Sequence, residues 1–194
     1  MEQIENGYEK IFWGFLISMF DINLGPVNIL PDFIGYFMLG TGICKIYKEF
    51  ESKDLKTADS ISNFLVFYSL VMPVLNYGFS NNLIGTDLNS HPVKILIDSG
   101  LSIFISSIIL IMIFYIISGS IALFIKREQN SEAGQLEKIQ RKYTMLFMSG
   151  MILEAVALNI SNEYYVMVLK IYMLLVMLYF PKIISNIKKT IIAV

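Results

Sequence analysis

The stretch SMFDINLGPVNILPDFIGYFM, Ser18 to Met38, decides how this chain is read. It lies in one of the most apolar parts of an apolar sequence. Yet it carries two carboxylates, Asp21 and Asp32, two amides, Asn23 and Asn28, and the helix breakers Gly25, Pro26 and Pro31. Proline lacks an amide donor and disfavours helix in the residue before it, so a single helix cannot run through this stretch. As helices, the flanking apolar segments 11–24 and 32–47 reach about 21 and 24 Å. Both fall short of a hydrocarbon core of about 30 Å. The expectation is a short broken hairpin whose joining backbone is not helical. Such backbone is tolerated in lipid only where protein or a water-filled cavity covers it.

The rest of the chain gives the hairpin its setting. The 194 residues are 55% hydrophobic and 16% charged, with a mean hydropathy of +0.61. Soluble domains average about 45–50% apolar and about 25% charged residues. The run Leu101 to Ile125 holds no charged residue and exceeds the roughly 20 positions a transmembrane helix needs. Further apolar segments fall at about 60–79, 95–125, 143–160 and 164–181. The fold class expected is all-α: an integral membrane helical bundle of about six segments, forming a single domain over 1–194. The lipid bilayer is its first partner. No basic leader region precedes the first segment and no small-residue cleavage site follows it, so the segment is expected to stay as an uncleaved anchor.

Orientation follows from lysine and arginine, which cytoplasmic loops retain. With the N-terminus inside, 13 of the 15 basic residues face the cytoplasm, from Lys10 through Lys45, Lys126 and Arg141 to Lys189. Only Lys94 falls outside, and Lys170 lies within the sixth segment. The sequence predicts a multi-pass protein with both termini cytoplasmic. The Ile-, Lys- and Asn-rich composition fits an AT-rich bacterial genome, hence a bacterial cytoplasmic membrane.

Two polar groups inside the apolar segments are the candidate sites. In the hairpin, the symmetry midpoint is expected between Pro26 and Val27, which would set Asp21 and Asp32 at similar depth. An aspartate near a helix centre costs about 2.5–3.5 kcal/mol on insertion scales. Two roles stay open for Asp21, Asn23, Asn28 and Asp32. They can cap backbone groups freed by the break, or they can form a cation- or proton-binding site at a discontinuous helix. The second group is Glu154 and Lys170, each eight residues from Asn162 in the turn between segments five and six. Opposite charges at equal depth are expected to pair, fixing helix register or gating.

The opening stretch Lys10 to Ile43, KIFWGFLISMFDINLGPVNILPDFIGYFMLGTGI, resembles a group of uncharacterised multi-pass membrane proteins of low-GC Gram-positive bacteria. Those begin with a Phe-Trp-Gly helix, an Asp-x-Asn turn and then Leu-Pro-Asp-Phe-Ile-Gly-Tyr. Asp21, Asn23 and Leu30 to Tyr36 carry the likeness. An acidic residue often precedes the Leu-Pro in that group, where Asn28 stands nearby here. The resemblance implies a membrane location and brings no activity.

Other chemistries are excluded or left without players. One histidine, His91, and one cysteine, Cys44, cannot build a His/Cys metal centre or an internal disulfide. Neither HExxH nor a phosphate-binding GxxxxGK[ST] motif occurs. The net charge of −1 argues against nucleic acid. No catalytic residue, cofactor or metal is expected. The polar run 126–142 mixes charge signs and is read as a solvated linker, with a surface helix as the alternative, and Pro73 is read as a kink in the third segment. The expected role is a non-enzymatic accessory or regulatory module with a membrane-protein partner or a second copy. The alternative is a small cation- or proton-coupled transporter or channel-like protein using the paired carboxylates.

Overall fold

A computed structural model describes residues 2–19, 23–24, 27–28, 32–80, 91–157 and 163–192. These residues form six helices: α1 Glu2–Met19, α2 Asp32–Glu49, α3 Lys53–Ser80, α4 His91–Lys126, α5 Asn130–Ala157 and α6 Glu163–Ile192. Between α1 and α2, strands β1 Asn23–Leu24 and β2 Val27–Asn28 pair antiparallel, with Asn23 opposite Asn28 and Leu24 opposite Val27. Positions 25 and 26, and with them the midpoint expected between Pro26 and Val27, lie outside the described residues.

Each helix packs against the next in sequence, and α6 returns to α1, so the six form a closed ring. Successive helices run antiparallel. Ser62 Oγ of α3 donates to the Tyr36 carbonyl of α2 at 2.7 Å. Gln140 of α5 reaches back to Phe114 and Ser118 of α4. Phe15 of α1 meets Phe180 of α6 edge to face, with ring centroids 4.6 Å apart. Tyr8 of α1 crosses the ring to Ser120 of α4. The core between them is apolar and includes Ile11, Leu39, Met112, Ile113, Ile116 and Phe147.

The tightest seam lies between α1 and α2, and glycine makes it. Gly7 faces Gly42 and Gly14 faces Gly35, two pairs spaced seven residues along each helix. A methyl group on Gly14 would sit 2.7 Å from the Gly35 carbonyl oxygen and 2.7 Å from the Leu39 amide nitrogen. On Gly42 it would sit 2.6 Å from the Gly7 carbonyl oxygen. These neighbours are backbone, which cannot swing away. Small residues at such spacing let helix axes approach closely.

Every helix extends beyond its apolar segment, and α1, α5 and α6 extend furthest. α1 begins at Glu2, nine residues before the expected start, and buries Ile4 and Tyr8. The run read as a solvated linker is mostly the first turns of α5. Ala133, Leu136, Gln140, Tyr143, Phe147 and Gly150 form one buried stripe at alternating three- and four-residue spacing. Only the turn after Lys126 remains. There Glu128 adopts a left-handed φ of 61°. The Gln129 amide bonds to the Phe124 carbonyl at 2.9 Å and the Glu128 amide to that of Ile125 at 3.0 Å, a Schellman closure. α6 continues through Pro181 to Ile192, burying Ile183, Ile184, Ile187 and Ile191. Two of the helices, over Gly100–Lys126 and Tyr164–Ile192, are long and apolar enough to cross a membrane.

At the end of the ring where α1 starts and α6 finishes, the Lys188 ammonium lies 3.2 Å from Glu9 and 3.4 Å from Glu5. Partial burial lowers the Lys188 pKa, but the hydrogen bonds and charges of Glu9 and Glu5 outweigh it and leave the pKa raised above 10.5.

Two predictions follow from these contacts. Gly14→Ala and Gly35→Ala should each destabilise the detergent-purified protein by about 1–3 kcal/mol in thermal or denaturant melts. Nothing stands within 4 Å of a methyl placed on Gly100 or Gly134. There the alanine variants should gain about 0.5–1 kcal/mol. The raised Lys188 pKa means its clasp contributes fully below the unfolded lysine value of 10.5 and is lost as pH rises through the folded one. Stability measured from pH 9 to 12 (about the lysine range) should fall more steeply for the parent than for Lys188→Gln.

Candidate functional site

The hairpin residues meet only in part among the described positions. Asn23 and Asn28 stand opposite each other in the ladder. Asp32 is the first residue of α2, where an acidic side chain complements the positive end of the helix dipole. Its side chain is half-buried and is not an isolated charge. Asp21 lies outside the described residues, and so does the expected juxtaposition of the two carboxylates.

The second group is arranged differently from expectation. Ser149 Oγ and Tyr172 Oη lie 2.9 Å apart. Tyr143 packs on Tyr179 and Phe180, with ring centroids 6.3 and 6.2 Å away. This antiparallel register brings Glu154 level with residues 167–169, one to three positions from Lys170. The ion pair itself does not form. Among the described residues, the salt bridges join Arg141 to Glu137 and Lys188 to Glu5 and Glu9. Glu154, half-buried, accepts a hydrogen bond from Ser102 Oγ of α4 at 3.4 Å. Lys170 is exposed. The reason is rotational. Leu169 is buried, and the next residue sits about 100° further round the helix, which carries the lysine stem out of the α5–α6 seam.

Interhelical polar clasps form a third set: the serines of the fourth segment are expected from the sequence to pack against neighbours, but their partners Tyr8 and Gln140 are not singled out there. Tyr8 Oη donates to Ser120 Oγ at 2.8 Å, and Ser120 Oγ donates onward to the Ile116 carbonyl at 2.8 Å. Burial pushes the Tyr8 pKa up to about 12, against the lowering effects of the Ser120 hydrogen bond and the Arg127 charge. The phenol is thus protonated and a donor across the physiological range. Gln140 Nε2 donates to the Phe114 carbonyl at 3.0 Å and to Ser118 Oγ at 2.8 Å. Its place in the 133–150 stripe was the available signal, since a glutamine at a core position needs partners. The buried Tyr143 hydroxyl has no hydrogen-bond partner among the described residues. No group of three His, Cys, Asp or Glu among the described residues could hold a metal ion.

Chemically, these groups tie helices together through neutral hydrogen bonds. Glu154 is the one acidic side chain placed against a hydroxyl of another helix in the apolar half of α5. Because Glu154 and Lys170 do not touch, Glu154→Gln and Lys170→Gln should be additive in a double-mutant cycle of unfolding, with a coupling below about 0.5 kcal/mol. A coupling of roughly 1 kcal/mol or more would restore the ion pair. Comparison with family models, curated proteins and solved structures gives no match.

Proposed function

We propose that this chain is a multi-pass integral membrane protein of the bacterial cytoplasmic membrane, acting as a non-enzymatic accessory or regulatory module. One observation carries the membrane reading. Every helix turns large apolar side chains outward, among them Trp13, Phe37, Phe67, Ile111, Ile152 and Ile171 on α1 to α6 in turn. Soluble monomers rarely expose contiguous apolar patches beyond a few hundred Å². A ring faced this way needs hydrocarbon around it. The antiparallel order also gathers the start of α1, the end of α2 and the corresponding ends of α3 to α6 on one side. The 13 basic residues cluster there, which supports cytoplasmic termini.

The accessory role rests on how the ring is filled. Phe15, Met112, Ile113, Ile116, Phe147 and Phe180 are buried where the helices meet, and apolar side chains offer an ion no ligands. The hairpin and the exposed flanks of α5 and α6 are then surfaces for a membrane-protein partner or a second copy. Glu154 against Ser102 is the observation that favours the transporter reading.

Carbonate-washed membranes should retain the protein. In a Cys44→Ser background, an impermeant thiol reagent added to intact cells should label Thr86→Cys and leave Ser131→Cys and Thr190→Cys untouched. Extraction by carbonate, or labelling of the latter two, would overturn the topology. Proteoliposomes should show cation and proton flux equal to empty vesicles. Flux that disappears in Glu154→Gln or Asp32→Asn at unchanged abundance would establish the transporter instead.

A further inference from the structure

A groove of about 350 Å³ runs between α3 and α4, lined by Thr57, Ser60, Ile61, Phe64, Ile108 and Ile111. Its two hydroxyls are already used. Thr57 Oγ1 donates to the Lys53 carbonyl at 3.0 Å and Ser60 Oγ to the Lys56 carbonyl at 3.1 Å. The groove therefore offers its occupant no free hydroxyl hydrogen and selects an apolar chain. Phe67 and Phe104, both exposed, continue the same apolar surface along α3 and α4.

The groove has a charged mouth. Lys53, Thr57, Ser60, Ile61 and Phe64 follow the spacing i, i+4, i+7, i+8 and i+11, which places Lys53 on the groove-facing stripe of α3. Lys56 stands one turn before Ser60. Both lysines are exposed. Asp59 lies on the opposite side of the helix from this stripe. Beyond the groove, at the end of α4, the Lys126 ammonium lies 4.9 Å from the centre of the Phe50 ring. A molecule with a negative head and an extended apolar tail matches this order of charge and hydrocarbon along one helix. Lysines near a membrane surface attract anionic lipid.

We propose that the α3–α4 groove is a site for an anionic phospholipid, one acyl chain lying along Phe64 and Ile111 and the phosphate meeting Lys53 and Lys56. The site rests on the membrane reading given above. The test uses the full-length protein reconstituted in vesicles of equal phosphatidylglycerol and phosphatidylethanolamine, then released in mild detergent for native mass spectrometry. One phosphatidylglycerol per chain should be retained in preference to phosphatidylethanolamine. Lys53→Gln with Lys56→Gln should reduce that preference by roughly thirtyfold. Ile111→Trp should fill the groove and expel the lipid; the lysine variant changes only exposed side chains and decides the matter even if the tryptophan variant misfolds. Equal retention of the two lipids, or an unchanged preference in the lysine variant, would overturn the site. Failure to enter vesicles at all would instead overturn the membrane reading, so the two failures are separable.

Discussion

The close approach of α1 and α2 at two glycine pairs is the constraint on which the rest of the ring depends. With Gly7 on Gly42 and Gly14 on Gly35, the two helices behave as one thick slab. Each outer face of that slab then meets a single neighbour, α3 on the α2 side and α6 on the α1 side. Were the pair held further apart by side chains, Tyr8 could not reach Ser120 on the far side of the ring while Phe15 keeps its contact with Phe180. The broken tip sits at one end of this slab. Its two-residue ladder takes up backbone groups that neither helix can use.

Polar groups in the described ring are arranged so that few carry charge in the interior. Ser107 and Ser120 donate to carbonyls one turn back in their own helix. Ser62 and Gln140 reach a neighbouring helix instead, and Tyr8 reaches across the ring to α4. Each is neutral, so each gives direction to a seam without the desolvation penalty of an ion. Apart from Asp32, Glu154 and Lys170, the charged contacts described gather toward the end where Lys188 joins Glu5 and Glu9, and where Lys45 donates to Asn6 at 2.9 Å. Hydrophobic contact sets how tightly the helices pack, and these directional bonds set which turn faces which.

The number of helices and the interruption between α1 and α2 were legible in the sequence because hydropathy and proline act locally. The ends were less so. Hydropathy marks where a helix meets hydrocarbon and cannot mark where it stops. α1 therefore hides its first turns behind Glu2, Glu5 and Glu9, and α5 hides its own behind Glu132, Glu137 and Arg141. Spacing held the missing signal: Ile4, Tyr8, Ile11 and Phe15 on α1, and Ala133 through Gly150 on α5, repeat as buried stripes. Glu154 and Lys170 show the opposite failure. Counting from the turn assigns them a common depth. It carried no information about rotation, and one residue of rotation separates a paired lysine from an exposed one. The Tyr8–Ser120 bond spans 112 positions, and no local pattern announces such a partner.

The return of α6 to α1 has a consequence for how the molecule comes into being. Glu9 and Lys188 are 179 positions apart. A chain emerging from a ribosome therefore completes the α1–α2 slab early, from contacts close in sequence, and waits for its last helix before the ring can close. Until then the face of α1 that will hold Phe180 is an unfilled seat, open to whatever hydrophobic helix is nearby. The order of synthesis thus makes α6 the keystone of the ring.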